Sequence, residues 1–126
     1  MKEEFYPEKY FQDERLIKLT LQQLKKDFAE FGVEFDEPLR HFTFDHLVGF
    51  LKEKLISIDK SQPGILTQLY YRIDLPEEKL RQIMENKNNF FENAAILILK
   101  RELQKVVIKE FYKNKLQHET EHKKRD

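Results

Sequence analysis

Residues 90–116 read FFENAAILILKRELQKVVIKEFYKNKL, with no Gly or Pro to interrupt them. From Ala94 to Leu99 every position is apolar. A helix there is hydrophobic on all sides and has to be surrounded by other elements rather than laid on a surface. Beyond it the pattern narrows. Leu99, Leu103, Val106, Val107 and Phe111 recur at spacings of three and four, which marks one face of a helix. The stretch predicts a single long helix that starts at the centre of a core and runs out toward solvent.

The rest of the chain supplies helices to surround it. Ile17, Leu21, Leu24, Phe28 and Phe31 fall at alternating spacings of four and three, the seven-residue pattern of antiparallel bundle packing. A first helix is expected over about Pro7–Phe31, with Pro7 in its first turn and Gly32 as its stop. Val33–Phe42 reads as a loop broken by Pro38, with Phe35, Leu39 and Phe42 pinning it to the core. Thr43 opens a second helix as N-cap, with Phe44, Leu47, Val48, Leu51, Leu55 and Ile58 on one face. After the break DKSQPG, residues 59–64, Ser61 is expected to cap a short third helix carrying Ile65, Leu66, Leu69 and Ile73. Asp74-Leu-Pro-Glu77 has the spacing of a capping box, starting a fourth helix over about Leu75–Glu85 with Leu80, Ile83 and Met84 inward. Asn89 is placed to cap the fifth. No segment alternates with period two between turn residues, so no sheet is expected. The polar tail, about 117–126, should fray.

At 126 residues the chain reads as one domain, long enough to bury a core without metal or disulfide staples. Apolar residues make up 40% and charged residues 37%, with only three Gly and four Pro, a balance that suits a helical globular protein. The core should be filled by Phe and Leu, because there are eleven Phe and no Trp. Cys is absent, which excludes disulfides, thiolate zinc sites, iron–sulfur clusters and cysteine nucleophiles. The start MKEEFYPEKY has no apolar h-region, and the longest unbroken apolar run is far short of the roughly 20 residues that span a bilayer. A soluble, cytoplasmic setting is the expectation. Net charge is zero, but acids exceed bases in residues 1–63 and bases exceed acids in 64–126.

Four constellations bear on function. His118-Glu-Thr-Glu-His122 spells H-E-x-x-H, in which two His bind zinc and the Glu is the general base. It lies beside Lys123, Lys124 and Arg125 with no apolar face to exclude water, and a third ligand would have to come from the distant His41 or His46. His118 and His122 are therefore at most weak metal candidates, and a metal-dependent hydrolase is a remote reading. Arg101, Lys105, Lys109 and Lys113 follow one another at intervals of four, a basic stripe suited to a phosphate backbone or an acidic partner. Glu102 and Glu110 dilute its field, so an ordinary solvated face competes with that reading. A helix–turn–helix across Gly64–Glu85 would open its second helix with two acids, which repel phosphates. Tyr70, Tyr71 and Arg72 cluster on the third helix, with Tyr71 and Arg72 outward, and Tyr and Arg are favoured interface anchors. There is no Gly-rich phosphate loop, no G-x-S-x-G and no pair of inward acids that would hold two metals.

The stretch LYYRIDLPEEKLRQIM, followed by the ILKRELQKV region, resembles short all-helical bacterial proteins known only as uncharacterised open reading frames. The resemblance covers roughly the second half of the chain. It implies a helical fold and a bacterial cytosolic setting, and it carries over no activity or site residue. Taken together, the residues predict an all-α bundle of five helices with the long C-terminal helix central. They predict no enzyme, no cofactor and no membrane span, but a protein–protein interaction or adaptor module that self-associates. Its surface is drawn from Tyr70, Tyr71, Arg72, Arg101, Lys105, Lys109 and Lys113. A nucleic-acid-binding protein using the basic stripe is the alternative.

Overall fold

A computed structural model describes the backbone of residues 7–35 and 43–124, and the side chains of 8–35 and 43–116. Five α-helices follow a 3-10 turn at Pro7–Tyr10: α1 Glu14–Ala29, α2 Phe44–Ser61, α3 Pro63–Ile73, α4 Glu77–Glu85 and α5 Phe90–Lys124. A second 3-10 turn, Lys87–Asn89, leads directly into α5. No strand occurs among the described residues. The fold is the expected all-α bundle with a long C-terminal helix.

The long helix is central because α1 and α2 both pack along it, while α3 packs on α2 and α4 closes the end near the start of α5. Ala94, Ala95, Ile98 and Leu99 are fully enclosed, and the two Ala let neighbouring helices approach closely. Against them lie Leu24 and Phe28 of α1, Leu51 and Leu55 of α2, and Leu69 and Ile73 of α3, all fully buried. Each such Leu, Ile or Phe contributes roughly 1.5–3 kcal/mol of burial free energy. The loop aromatic Phe35 is buried as expected, with its ring 4.9 Å from that of Phe28 and 5.5 Å from that of Phe50. Leu39 and Phe42, expected to do the same, lie outside the described residues.

Helix ends show where local signals were read correctly and where tertiary context overrode them. Gly32 adopts φ 74°. Its N–H reaches the Ala29 carbonyl at 3.0 Å, and the next N–H, of Val33, reaches that of Phe28 at 3.2 Å. That is the Schellman closure Gly permits at no steric cost. Thr43 caps α2, accepting from the His46 N–H at 3.2 Å. The first helix, however, does not begin at Pro7. The 3-10 turn ends, the chain bends, and Asp13 caps α1 by accepting from the Leu16 N–H at 3.2 Å.

Two expected caps are not caps. Asp74 does not start α4; it ends α3, with φ 65° and ψ 55°. The Leu75 N–H returns to the Tyr70 carbonyl at 3.2 Å, a second Schellman closure with Asp as one of the few non-Gly residues that tolerate this conformation. The N-cap of α4 is Pro76, which makes no side-chain cap bond. Ser61 likewise caps nothing: α2 continues through it, its hydroxyl donates to the Ser57 carbonyl at 3.0 Å, and Pro63 begins α3 one residue later. Met84 is exposed rather than inward, and no residue of α4 is fully buried. The polar end expected to fray is helical through Lys124.

Candidate interaction surface

The basic stripe does not lie on an open face. Its first member, Arg101, donates to the Asp74 carbonyl and carboxylate, each at 3.2 Å. Lys105 donates to Glu102 at 3.0 Å and to Asp27 at 3.4 Å. Lys109 donates to the Gln23 side chain at 2.8 Å. Lys113 is exposed. Three of the four cations thus tie α5 to α1 and to the end of α3.

Beneath them is a buried acid pair, Asp27 and Glu102. Glu102, taken as diluting a solvated face, is fully enclosed, and Asp27 on α1 is buried with it. Asp27 also accepts from Gln23 at 3.2 Å and lies 3.9 Å from the Arg72 guanidinium. Burial, then the hydrogen bond with Asp27, pushes the Glu102 carboxyl up to about 7, against a smaller opposing pull from Lys105. Its Oε2 is buried without a partner; a proton on the carboxyl supplies a donor, and Asp27 is the acceptor beside it. Catalytic acid pairs are often tuned in this way. Here the group is enclosed, so it can exchange a proton but meets no substrate. It functions as a polar lock between α1, α3 and α5.

The Tyr70–Arg72 cluster is divided by the structure. Arg72 turns to α1, making two hydrogen bonds to Glu30, the second at 2.8 Å; this holds Glu30 below the usual carboxylate range. Tyr70 and Tyr71 face α4 instead, lining a groove of about 250 Å³ with Leu75, Leu80 and Met84. Tyr71 is 77% exposed and Met84 59%. Tyr70 is buried, its hydroxyl has no partner, and burial, followed by the nearby Asp59, pushes it up to about 12.

A second apolar surface was not anticipated. Phe111, expected to extend the core stripe, is 64% exposed; Tyr112 is 57% and Ile108 45% exposed. For Phe111 and Tyr112 the cause is a mismatch of length; Ile108 lies within the reach of α1 and is exposed because it turns to the other side of α5. α1 runs antiparallel to α5, with Asp27 beside Lys105 and Arg15 beside Glu110. α1 begins at Glu14, so α5 outruns it from about Phe111 onward, by about 21 Å at 1.5 Å per residue. Past Glu110 the period of the buried Leu99, Glu102 and Val106 continues at Lys113, while Phe111 and Tyr112 stand off that face.

His118 and His122 lie outside the described side chains, and among the described residues no three metal-binding side chains converge. No helix among them is long and apolar enough to cross a membrane. No family model, curated protein or solved structure matches the chain.

Proposed function

We propose that the protein is a non-enzymatic helical interaction module that self-associates through the outrunning end of α5. The observation that carries this reading is the contiguous stripe Ile108–Phe111–Tyr112, two large aromatics and an aliphatic exposed on one face of a helix. Apolar side chains scattered singly need no explanation, but contiguous ones at helical spacing mark a contact surface. A helical segment of this length is marginal in water by itself, so a partner helix that covers its apolar face also accounts for its helicity. Tyr is a favoured anchor at such contacts. The nucleic-acid reading draws less support, because Arg101 and Lys105 are already engaged by carboxylates within the fold.

Absolute mass by light scattering, over a concentration series and at low and high salt, tests the reading. A dimer that survives high salt is the expected result, because apolar burial is not screened as surface charge is. A monomer of 15.4 kDa at every concentration would overturn it.

A further inference from the structure

Resting on that reading, we infer that the self-associating end of α5 is a metal site shared between two copies of this chain, in which His118 and His122 of each copy supply four imidazole ligands to one zinc ion. The spacing along α5 carries it. Ile108, Phe111, Lys115, His118 and His122 follow one another at intervals of three, four, three and four, the repeat of a two-stranded coiled-coil seam. The helix is continuous through Lys124, so all five positions fall on one face. Ile108, Phe111 and Lys115 on that face are exposed. α1 packs on a different face, through Lys105, Lys109 and Glu110, and leaves this one uncovered.

A parallel two-fold pairing of this face lays each position beside its own copy. Ile108 and Phe111 then form two apolar layers, which are few for so short a helical pair. Lys115 adds a like-charged layer, the kind of polar position that fixes register at a cost in stability. Glu119 and Glu121 stand at the flanking positions of the same repeat, so the charges at the seam come to one base and two acids per chain. The last two layers are His118 and His122. Four residues of helix set them about 6 Å apart along the axis, and the two-fold doubles them to four imidazoles around one point. Zinc takes four ligands tetrahedrally and accepts imidazole readily. One chain offers two ligands and no enclosure, which is why the H-E-x-x-H spelling is a weak site by itself. The second copy brings the missing pair, and the metal closes a seam that two apolar layers leave weak.

The full chain, which has no Cys to compete for metal, is measured by light scattering in EDTA and in zinc. Zinc at 100 times its dissociation constant should tighten dimerisation about hundredfold, the factor expected when a ligand binds one state alone. The titration should end at one zinc per two chains. Cobalt(II) in place of zinc should give the intense visible bands of tetrahedral coordination. His118→Ala and His122→Ala should each abolish the tightening and the cobalt bands, whereas Phe111→Ser should weaken the dimer in zinc and in EDTA alike. A dimer equally strong in zinc and in EDTA would overturn the metal site and leave self-association intact. Zinc taken up without any change in mass would overturn it too. A monomer in both conditions would remove both readings.

Discussion

Replacing Lys105 with Ala is expected to destabilise the fold by about 3 kcal/mol at pH 7, measured by urea denaturation. Breaking a buried ion pair by removing one partner costs roughly 3–5 kcal/mol, because an uncompensated charge is left enclosed. Lys105 is the cation closest to both Asp27 and Glu102. The lower end of the range applies because Glu102, pushed up to about 7, relieves part of the loss by taking a proton. Glu102→Gln should have the opposite effect. The amide can donate to Asp27 and accept from Lys105 without burying a second negative charge, so stability above pH 7 should rise by roughly 1–3 kcal/mol. The double variant should be less destabilised than Lys105→Ala alone.

The same group sets a pH dependence whose sign is opposite to that of a typical paired carboxylate. Below its ordinary value of 4.5, Glu102 holds its proton whether the chain is folded or unfolded, and the stabilisation is complete. As pH rises from 4.5 toward about 7, the unfolded chain releases the proton while the folded one retains it, and stability falls. Above that window both forms are ionised and the loss, on the order of 3 kcal/mol, levels off. Glu30, lowered by Arg72, contributes in the other direction: its stabilisation is present above its ordinary value and lost as pH falls. Flattening of the 4.5–7 limb in Glu102→Gln, with the lower limb unchanged, would assign the effect to Glu102. An unaltered profile would refute the assignment.

Phe111→Ser and Tyr112→Ser are each expected to weaken self-association by about thirtyfold, the equivalent of the roughly 2 kcal/mol that defines an interface hot spot. Neither should change the urea midpoint of the dissociated chain appreciably, since both side chains are more than half exposed and surface substitutions stay within about 0.5 kcal/mol. Leu103→Ala behaves differently. It is almost fully buried with Leu16 and Val106, so it should cost about 2–5 kcal/mol of stability. Analytical ultracentrifugation of the three variants separates the two classes: loss of association without loss of stability at 111 and 112, loss of stability at 103.

The bundle was legible because its signals are local and redundant. Ile17, Leu21, Leu24 and Phe28 keep one face over about three turns, and all four are buried; Gly32 stops the helix as its conformational freedom allows. The caps at Ser61 and Asp74 were misread because cap residues also serve neighbouring helix ends: with Pro63 and Pro76 fixing the starts of the next turns, the chain needs almost no linker. The two surfaces that matter most were missed for a different reason. Asp27 and Glu102 each stand on the buried face of their helices, at positions where the period calls for an apolar residue, between Leu24 and Phe28 in one case and between Leu99 and Leu103 in the other. Their positions in the period were the available signal; the charge of Glu102 was taken to mean solvent, and Asp27 was passed over. The exposure of Phe111 needs the antiparallel register of α1 and α5, which no single helix encodes.

Amide hydrogen exchange along α5 at two protein concentrations tests the central claim most directly. Residues 94–106, enclosed by α1, α2 and α3, should be strongly protected at both concentrations, because their opening requires unfolding of the bundle. Residues 108–116 should exchange quickly when dilute and become protected as concentration rises, because only a second chain completes their burial. Fast exchange of 108–116 at both concentrations, or equal protection at both, would contradict the claim that the end of α5 is an interface between copies.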